Sequence, residues 1–132
     1  MDKILIDTSV WITFFRGRSK EVVEEVASLL RKGQVVVTGI VLIELLQGAL
    51  NEKELDNIVT LLEPVERIDP TPSQWEEAGR FSYRLRKKGI TTSTVDALLA
   101  LLAIEYDCRL FTEDKHFEVI AQQTDLRLYP TG

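Results

Sequence analysis

The sequence predicts an α/β fold, a largely parallel sheet covered by helices on both faces. Two observations predict it. Short apolar runs of β type alternate with longer stretches in which apolar residues recur at helical spacing. No linker, internal repeat or low-complexity segment breaks that alternation, so the chain reads as a single domain, 1–132, long enough to bury a core. Strands that alternate with helices pair in parallel, because each return crossing is a helix that packs on the sheet.

The elements follow in order. Lys3 to Ile6 reads as the first strand. Trp11, Phe14 and Phe15 make the helix after it unusually aromatic, and aromatic residues at helical spacing belong mainly to a core. Val22, Val23, Val26, Leu29 and Leu30 mark a second helix, which Gly33 stops after Arg31-Lys32. Val35 to Thr38 is a strand, and Ile40 to Leu46 a helix. Leu55, Ile58, Val59 and Leu62 form another helical face, ended by Pro64, before a strand at Val65 to Ile68. Trp75, Ala78, Ser82 and Leu85 give the apolar face of a helix running from a Ser73 cap to Gly89. An apolar helix opens at Asp96; Arg109 to Thr112 and Leu126 to Tyr129 are the last strands, with a short helix through Phe117 and Ile120 between them.

Bulk numbers exclude several classes. The longest uncharged apolar run, Ala97 to Ile104, is far short of a membrane span. The start has no signal-peptide layout, since its apolar stretch meets Asp7 after three residues. Cys108 is the only cysteine, so no intrachain disulfide can form, and a reducing, cytoplasmic location is expected. One His and one Cys leave a zinc site almost without ligands, whereas carboxylates suit Mg²⁺ or Mn²⁺. A net charge of −5 and a pI near 4.9 argue against a nucleic-acid partner, unless acids gather at a metal and cations cluster elsewhere.

Four carboxylates stand at the edges of segments that should otherwise be core: Asp7, Glu44, Asp96 and Asp114. Each has a structural reading. Asp7 can cap the helix at Thr8. Ser93-Thr94-Val95-Asp96 fits a capping box. Asp114 can cap the short helix that follows, and Glu113 points away from its neighbour if the backbone there is extended. Glu44 fits least well, lying mid-helix with Ile40, Val41, Gln47 and Gly48 at helical spacing and no cation among them. Two acids at strand ends and two on helices that can pack beside them suggest a shared cation, because converging like charges raise one another's pKa and a divalent ion reverses that cost. Mg²⁺ keeps several waters, which supply a nucleophile for phosphodiester hydrolysis.

Four segments in order resemble the PIN-domain ribonucleases, in particular the VapC-type toxins of prokaryotic toxin–antitoxin pairs: Ile4-Leu5-Ile6-Asp7-Thr8-Ser9-Val10-Trp11-Ile12, Leu42-Ile43-Glu44-Leu45, Thr94-Val95-Asp96-Ala97-Leu98-Leu99-Ala100 and Leu110-Phe111-Thr112-Glu113-Asp114-Lys115-His116-Phe117. The resemblance covers essentially the whole chain. It implies a PIN-like fold with a five-stranded parallel sheet, and a Mg²⁺- or Mn²⁺-dependent endoribonuclease whose catalytic and metal-binding quartet is Asp7, Glu44, Asp96 and Asp114. Thr112 and Ser9 match hydroxyls that support the acids or a bound water. His116 stands where some relatives carry a further acid. The resemblance also implies a homodimer and a cognate antitoxin, whose amphipathic segment would lie in a groove lined by residues such as Trp11, Phe14 and Phe15.

Cations cluster at two places. Arg84, Arg86, Lys87 and Lys88 end the helix before Asp96, and Arg16 and Arg18, with Lys20, follow the first helix. Cations at a helix C-terminus favour its dipole; contacts to RNA phosphates are the competing account. Three other classes compete with the ribonuclease. One is a degenerate PIN module that binds RNA or protein without cutting, against which the full quartet argues. Another is an α/β phosphatase with Asp7 as nucleophile, which lacks the partner carboxylate because Ser9 occupies that position. A Ser/His/Asp hydrolase fares worst, since the one His, His116, lies in a charged segment with no nucleophile-elbow sequence nearby.

Overall fold

A computed structural model describes residues 1–130; the last two residues of the expected domain lie outside them. The elements are β1 (Lys3–Ile6), α1 (Thr8–Phe15), α2 (Lys20–Arg31), β2 (Val35–Val37), α3 (Gly39–Gln47), α4 (Glu52–Leu62), β3 (Glu66–Arg67), α5 (Pro72–Lys87), α6 (Thr94–Glu105), β4 (Cys108–Phe111), α7 (His116–Gln123) and β5 (Arg127–Leu128). The five strands form one sheet in the order β3-β2-β1-β4-β5. Every pairing is parallel.

The chain winds outward from β1 through β2 to β3, then crosses back to lay β4 on the other side of β1. That reversal leaves a crevice between the carboxyl ends of β1 and β4, where open α/β sheets place their ligands. Ile4, Leu5 and Ile6 are consecutive and all buried, so both faces of the central strand are covered. α6 is buried from Ala97 through Ala103 and packs between α5 and β4 as the most enclosed helix. Trp11 is fully buried, in ring contact with Phe14 and Phe15, which are half-buried. No described helix is long and apolar enough to cross a membrane.

Several expected boundaries move, each for a local reason. The outer strands β3 and β5 shrink to two residues because each has a pairing partner on one side only. Thr38 leaves β2 to begin α3, whose first amide, Gly39 N, donates to Asp69 Oδ1 at 2.7 Å. The carboxylate after β3 thereby fixes the helix that carries Glu44. The cap of α5 is Thr71, two residues before the expected Ser73, with Pro72 in the first turn and a reciprocal capping box to Gln74. Trp75 does not join the apolar face expected of α5: it is 53% exposed, while Leu85 is buried and Ala78 and Phe81 are half-buried.

Candidate active site

β1 ends at Ile6, so Asp7 is the first residue beyond the central strand, and it is buried. Its amide donates to Phe111 O at 2.9 Å, fixing it beside the end of β4. Asp7 Oδ1 accepts from Thr8 N at 2.8 Å, the helix-capping bond foreseen for it. Oδ2 accepts from both Ser9 Oγ, at 2.9 Å, and Thr112 Oγ1, at 2.8 Å. One carboxylate therefore caps α1 and also ties it to the segment after β4. Three donors on an ionised group offset the desolvation that burial imposes.

The supporting hydroxyls act in both directions. Thr112 Oγ1 accepts from Asp114 N at 3.0 Å, and Ser9 Oγ accepts from Glu113 N at 3.2 Å. The loop carrying Asp114 thus hangs on Asp7 through its two hydroxyl partners. Asp114 is exposed; its Oδ1 accepts from His116 N at 2.9 Å, so it helps to start α7. Glu113 takes a different partner, accepting from Thr13 Oγ1 at 2.7 Å; the backbone bends there rather than running extended, and Glu113 and Asp114 line the same cleft.

Glu44 reaches the site across α3. Its Oε1 accepts from Thr8 Oγ1 at 2.7 Å, next to Asp7 in the chain. Nothing in the sequence pattern assigns Thr8 this role. A hydroxyl in the first turn of a helix that starts at a strand end was the available signal.

Asp96 lies in the first turn of α6, where Ser93 Oγ accepts its amide at 3.1 Å. A reciprocal capping box is found at Thr71 and Gln74 but not at Ser93 and Asp96. The Asp96 carboxyl is held above the ordinary carboxylate range, first by burial, then by the negative charges of Asp7 and Asp114; Ser93 and His116 oppose the rise. These influences put Asp7, Asp96 and Asp114 in one electrostatic neighbourhood, with Glu44 joined to it through Thr8. His116 Nε2 is buried with no hydrogen-bond partner among the described residues.

All four acids are hard oxygen donors, which suits Mg²⁺ or Mn²⁺ rather than a thiolate- or imidazole-seeking ion. Among the described residues, no three His, Cys, Asp or Glu side chains stand close enough to close on an ion. A site of that kind still fits Mg²⁺, which is commonly held by one or two carboxylates and keeps several waters. A cleft of about 330 Å³ opens beside Thr112 and Asp114, and Glu21, Glu25, Glu113 and Glu118 also line it. Lys115 lines it too, so five carboxylates and one cation leave it net acidic.

Each of the two cation clusters has one member paired with a carboxylate. Arg16 Nη2 donates to Gly48 O at 3.1 Å and pairs with Glu54 at 3.5 Å, strapping the end of α1 to α4. That partnership removes it from the free cations proposed for RNA. Arg84 pairs with Glu77 at 3.0 Å. Arg18, Arg86, Lys87 and Lys88 are exposed, and none forms an ion pair among the described residues.

An acid-lined crevice at the reversal point of a five-stranded parallel sheet defines a class. The chain belongs to the PIN-domain family, whose pattern matches residues 4–123. Within it the resemblance is to VapC-type members. The chain is 30% identical over 128 residues to Ribonuclease VapC11 of Mycobacterium tuberculosis, covering 94% of this chain and 96% of that one. The structure of VapBC-1 from nontypeable Haemophilus influenzae superposes with a TM-score of 0.74 at 26% identity, over 96% of both chains. VapBC-5 from Mycobacterium tuberculosis, a member of the VapBC family of toxin-antitoxin systems, shares the fold with a TM-score of 0.68 at 18% identity, over 99% of this chain and 100% of that one.

Proposed function

We propose that this chain is a Mg²⁺- or Mn²⁺-dependent endoribonuclease of the cytoplasm, a toxin neutralised by a cognate antitoxin. The observation that carries the reading is the Asp7–Thr112–Asp114 network together with an Asp96 carboxyl raised by burial and by its acidic neighbours. Family membership and the similarity to VapC11 support it. When bound, the cation supplies a water nucleophile and steadies charge on the phosphoryl oxygens. Asp7, Asp96 and Glu44 are the residues assigned to hold it, with Asp114 acting directly or through water. Ser9, Thr112 and Thr8 keep two of these carboxylates aimed, the first pair on Asp7 and the last on Glu44. Arg18, Arg86, Lys87 and Lys88, all exposed, are the cations proposed to take RNA phosphates.

Trp11 is too deeply buried to line a groove for an antitoxin, which leaves Phe14 and Phe15 for that role. The chain is also proposed to form a homodimer, for which Ile43 of α3, Leu50 in the connection after it, and Val59 of α4 offer exposed apolar surface.

One observation favours a second reading, a PIN module that binds RNA or protein without cutting: the described acids do not close on an ion as they stand. Cleavage assays separate the two. Purified protein should cut RNA with Mg²⁺ or Mn²⁺, stop in EDTA and resume when either ion is returned in excess. Equal cleavage in EDTA refutes the metal mechanism. RNA binding with no cleavage under any ion establishes the second reading.

A further inference from the structure

We infer that the outward face of α5 is a stacking platform for unpaired RNA bases, formed by Trp75 and Tyr83 on either side of Gly79, with Arg86 and Lys87 holding the adjoining phosphates. The inference rests on the ribonuclease reading and names the form of its substrate, a single-stranded segment.

Trp75 and Tyr83 are 53% and 52% exposed, a costly placement for two large rings on one helix. They lie eight positions apart, about 12 Å along the axis, with Gly79 midway and on the same side. Nothing stands within 4 Å of where a Gly79 side chain would begin, so the surface between the rings is bare. Arg86 and Lys87 lie over the Tyr83 ring, at 5.5 Å and 5.4 Å from its centroid. Contacts of this kind between exposed groups are weak, so a phosphate can draw the cations off as a base takes the ring. Rings paired with free cations are the recurring equipment for single strands, since every base offers a π-face.

Charge favours RNA over a second copy of the chain. Glu76 and Glu77 are engaged by Arg80 and Arg84, which leaves the end of the helix with unpaired Arg86, Lys87 and Lys88 in a protein of net charge −5. A two-fold contact through this face would set those cations near their own copies. Position favours it too. The turn at Gly89 joins the basic end of α5 to Ser93 and Asp96, and α5 packs along α6, so a strand lying on α5 leads to the acids.

The test uses the full chain in EDTA, where the proposed reaction is stopped. A single-stranded oligouridylate of about twelve nucleotides, within the usual span of such sites, is compared with an RNA duplex of the same length. Trp75 is the one exposed tryptophan of two, so stacking should quench its emission on adding the single strand and leave buried Trp11 unaffected. W75A and Y83A should each weaken single-strand binding at least about fivefold, roughly the loss of one base–ring stack. Duplex binding and melting temperature should hold, and Y83F should keep parental affinity. Unchanged single-strand affinity in W75A and Y83A, with metal-dependent cleavage intact, overturns the platform alone. Conversion of a dimer to a monomer by these variants at unchanged RNA affinity overturns it and assigns the face to a second copy. A parent chain that neither binds nor cuts RNA with Mg²⁺ or Mn²⁺ overturns both this inference and the ribonuclease reading.

Discussion

Asp7 caps α1 and is also a proposed site residue, and that double duty decides how it can be tested. Removing its side chain forfeits the cap of α1, worth about 0.5–2 kcal/mol, and leaves Ser9 and Thr112 without their acceptor. Loss of cleavage in D7A therefore has to be read beside its melting temperature. Thr112→Val is the cleaner probe. It deletes one bond to a buried carboxylate, worth about 1.5–3 kcal/mol, and frees the Asp114 amide. The melting temperature should fall by several degrees, and cleavage should fall more than RNA affinity. Parental cleavage in T112V would show that the loop does not need this tether. Asp96 makes a pH-dependent prediction. Its carboxyl titrates higher in the folded chain than its ordinary value of 3.8, so the folded state holds the proton more tightly. Stability is then greatest below that value and falls as pH rises through the folded pKa. Without metal, Asp96→Asn should match the parent in strong acid and melt at or above it at neutral pH. A lower melting temperature for the variant at neutral pH would refute the repulsion. The acids themselves were legible in the sequence because charges beside apolar runs demand a reason. Thr8 was not, because a hydroxyl in a first turn is ordinary until a partner 36 positions away meets it.

Helix faces are legible in a sequence only to within the ambiguity of a 100° step. Trp75, Ala78, Ser82 and Leu85 share helical spacing, yet the side of α5 turned to the core is centred on Ala78, Phe81 and Leu85. Trp75 falls roughly 90° from that centre and comes out exposed. The strands show the opposite balance. The central strand β1 fills its expected span because both faces and both edges are covered, while β3 and β5 contract where pairing is one-sided. Two glycines of this region give a matched pair of predictions. Gly89 has φ +85°, with open space where a Cβ would go, so only backbone strain opposes a side chain. G89A should destabilise by about 1–2 kcal/mol and loosen the turn between α5 and Asp96. Gly79 is helical and equally open, so G79A should stabilise by about 1 kcal/mol. Thermal melts that moved both variants in the same direction would contradict this account of the turn.

At the scale of the whole molecule, strand order explains why acids so far apart in sequence become neighbours. β1 and β4 flank the reversal, Ile6 is in register with Phe111, and the residues just beyond both strands are drawn together. The alternation of strands and helices made that architecture readable. The ion-pair partners of the cations were not, since Arg16 meets Glu54 only once α4 has packed. Net charge compounds the local repulsion: the chain carries −5 overall, and the charges of Asp7 and Asp114 bear on Asp96 without a described cation in an ion pair with any of the three. An ion bound only by the folded state stabilises it by RT ln(1 + [L]/Kd), about 2.7 kcal/mol when the ion is at roughly 100 times Kd. For a domain of this size that is a rise of roughly 10 °C in melting temperature. Mg²⁺ or Mn²⁺ should produce it in a concentration-dependent manner, and EDTA should reverse it. Asp96→Asn should lose most of the rise, because it removes a proposed ligand and relieves the repulsion the ion would otherwise neutralise. Lys88→Ala, at the exposed C-cap of α5 where its Nζ donates to Gln123 O, should keep the whole of it. A melting temperature indifferent to both ions at millimolar concentration, in a protein that still cuts RNA, would place the chemistry somewhere other than these four carboxylates.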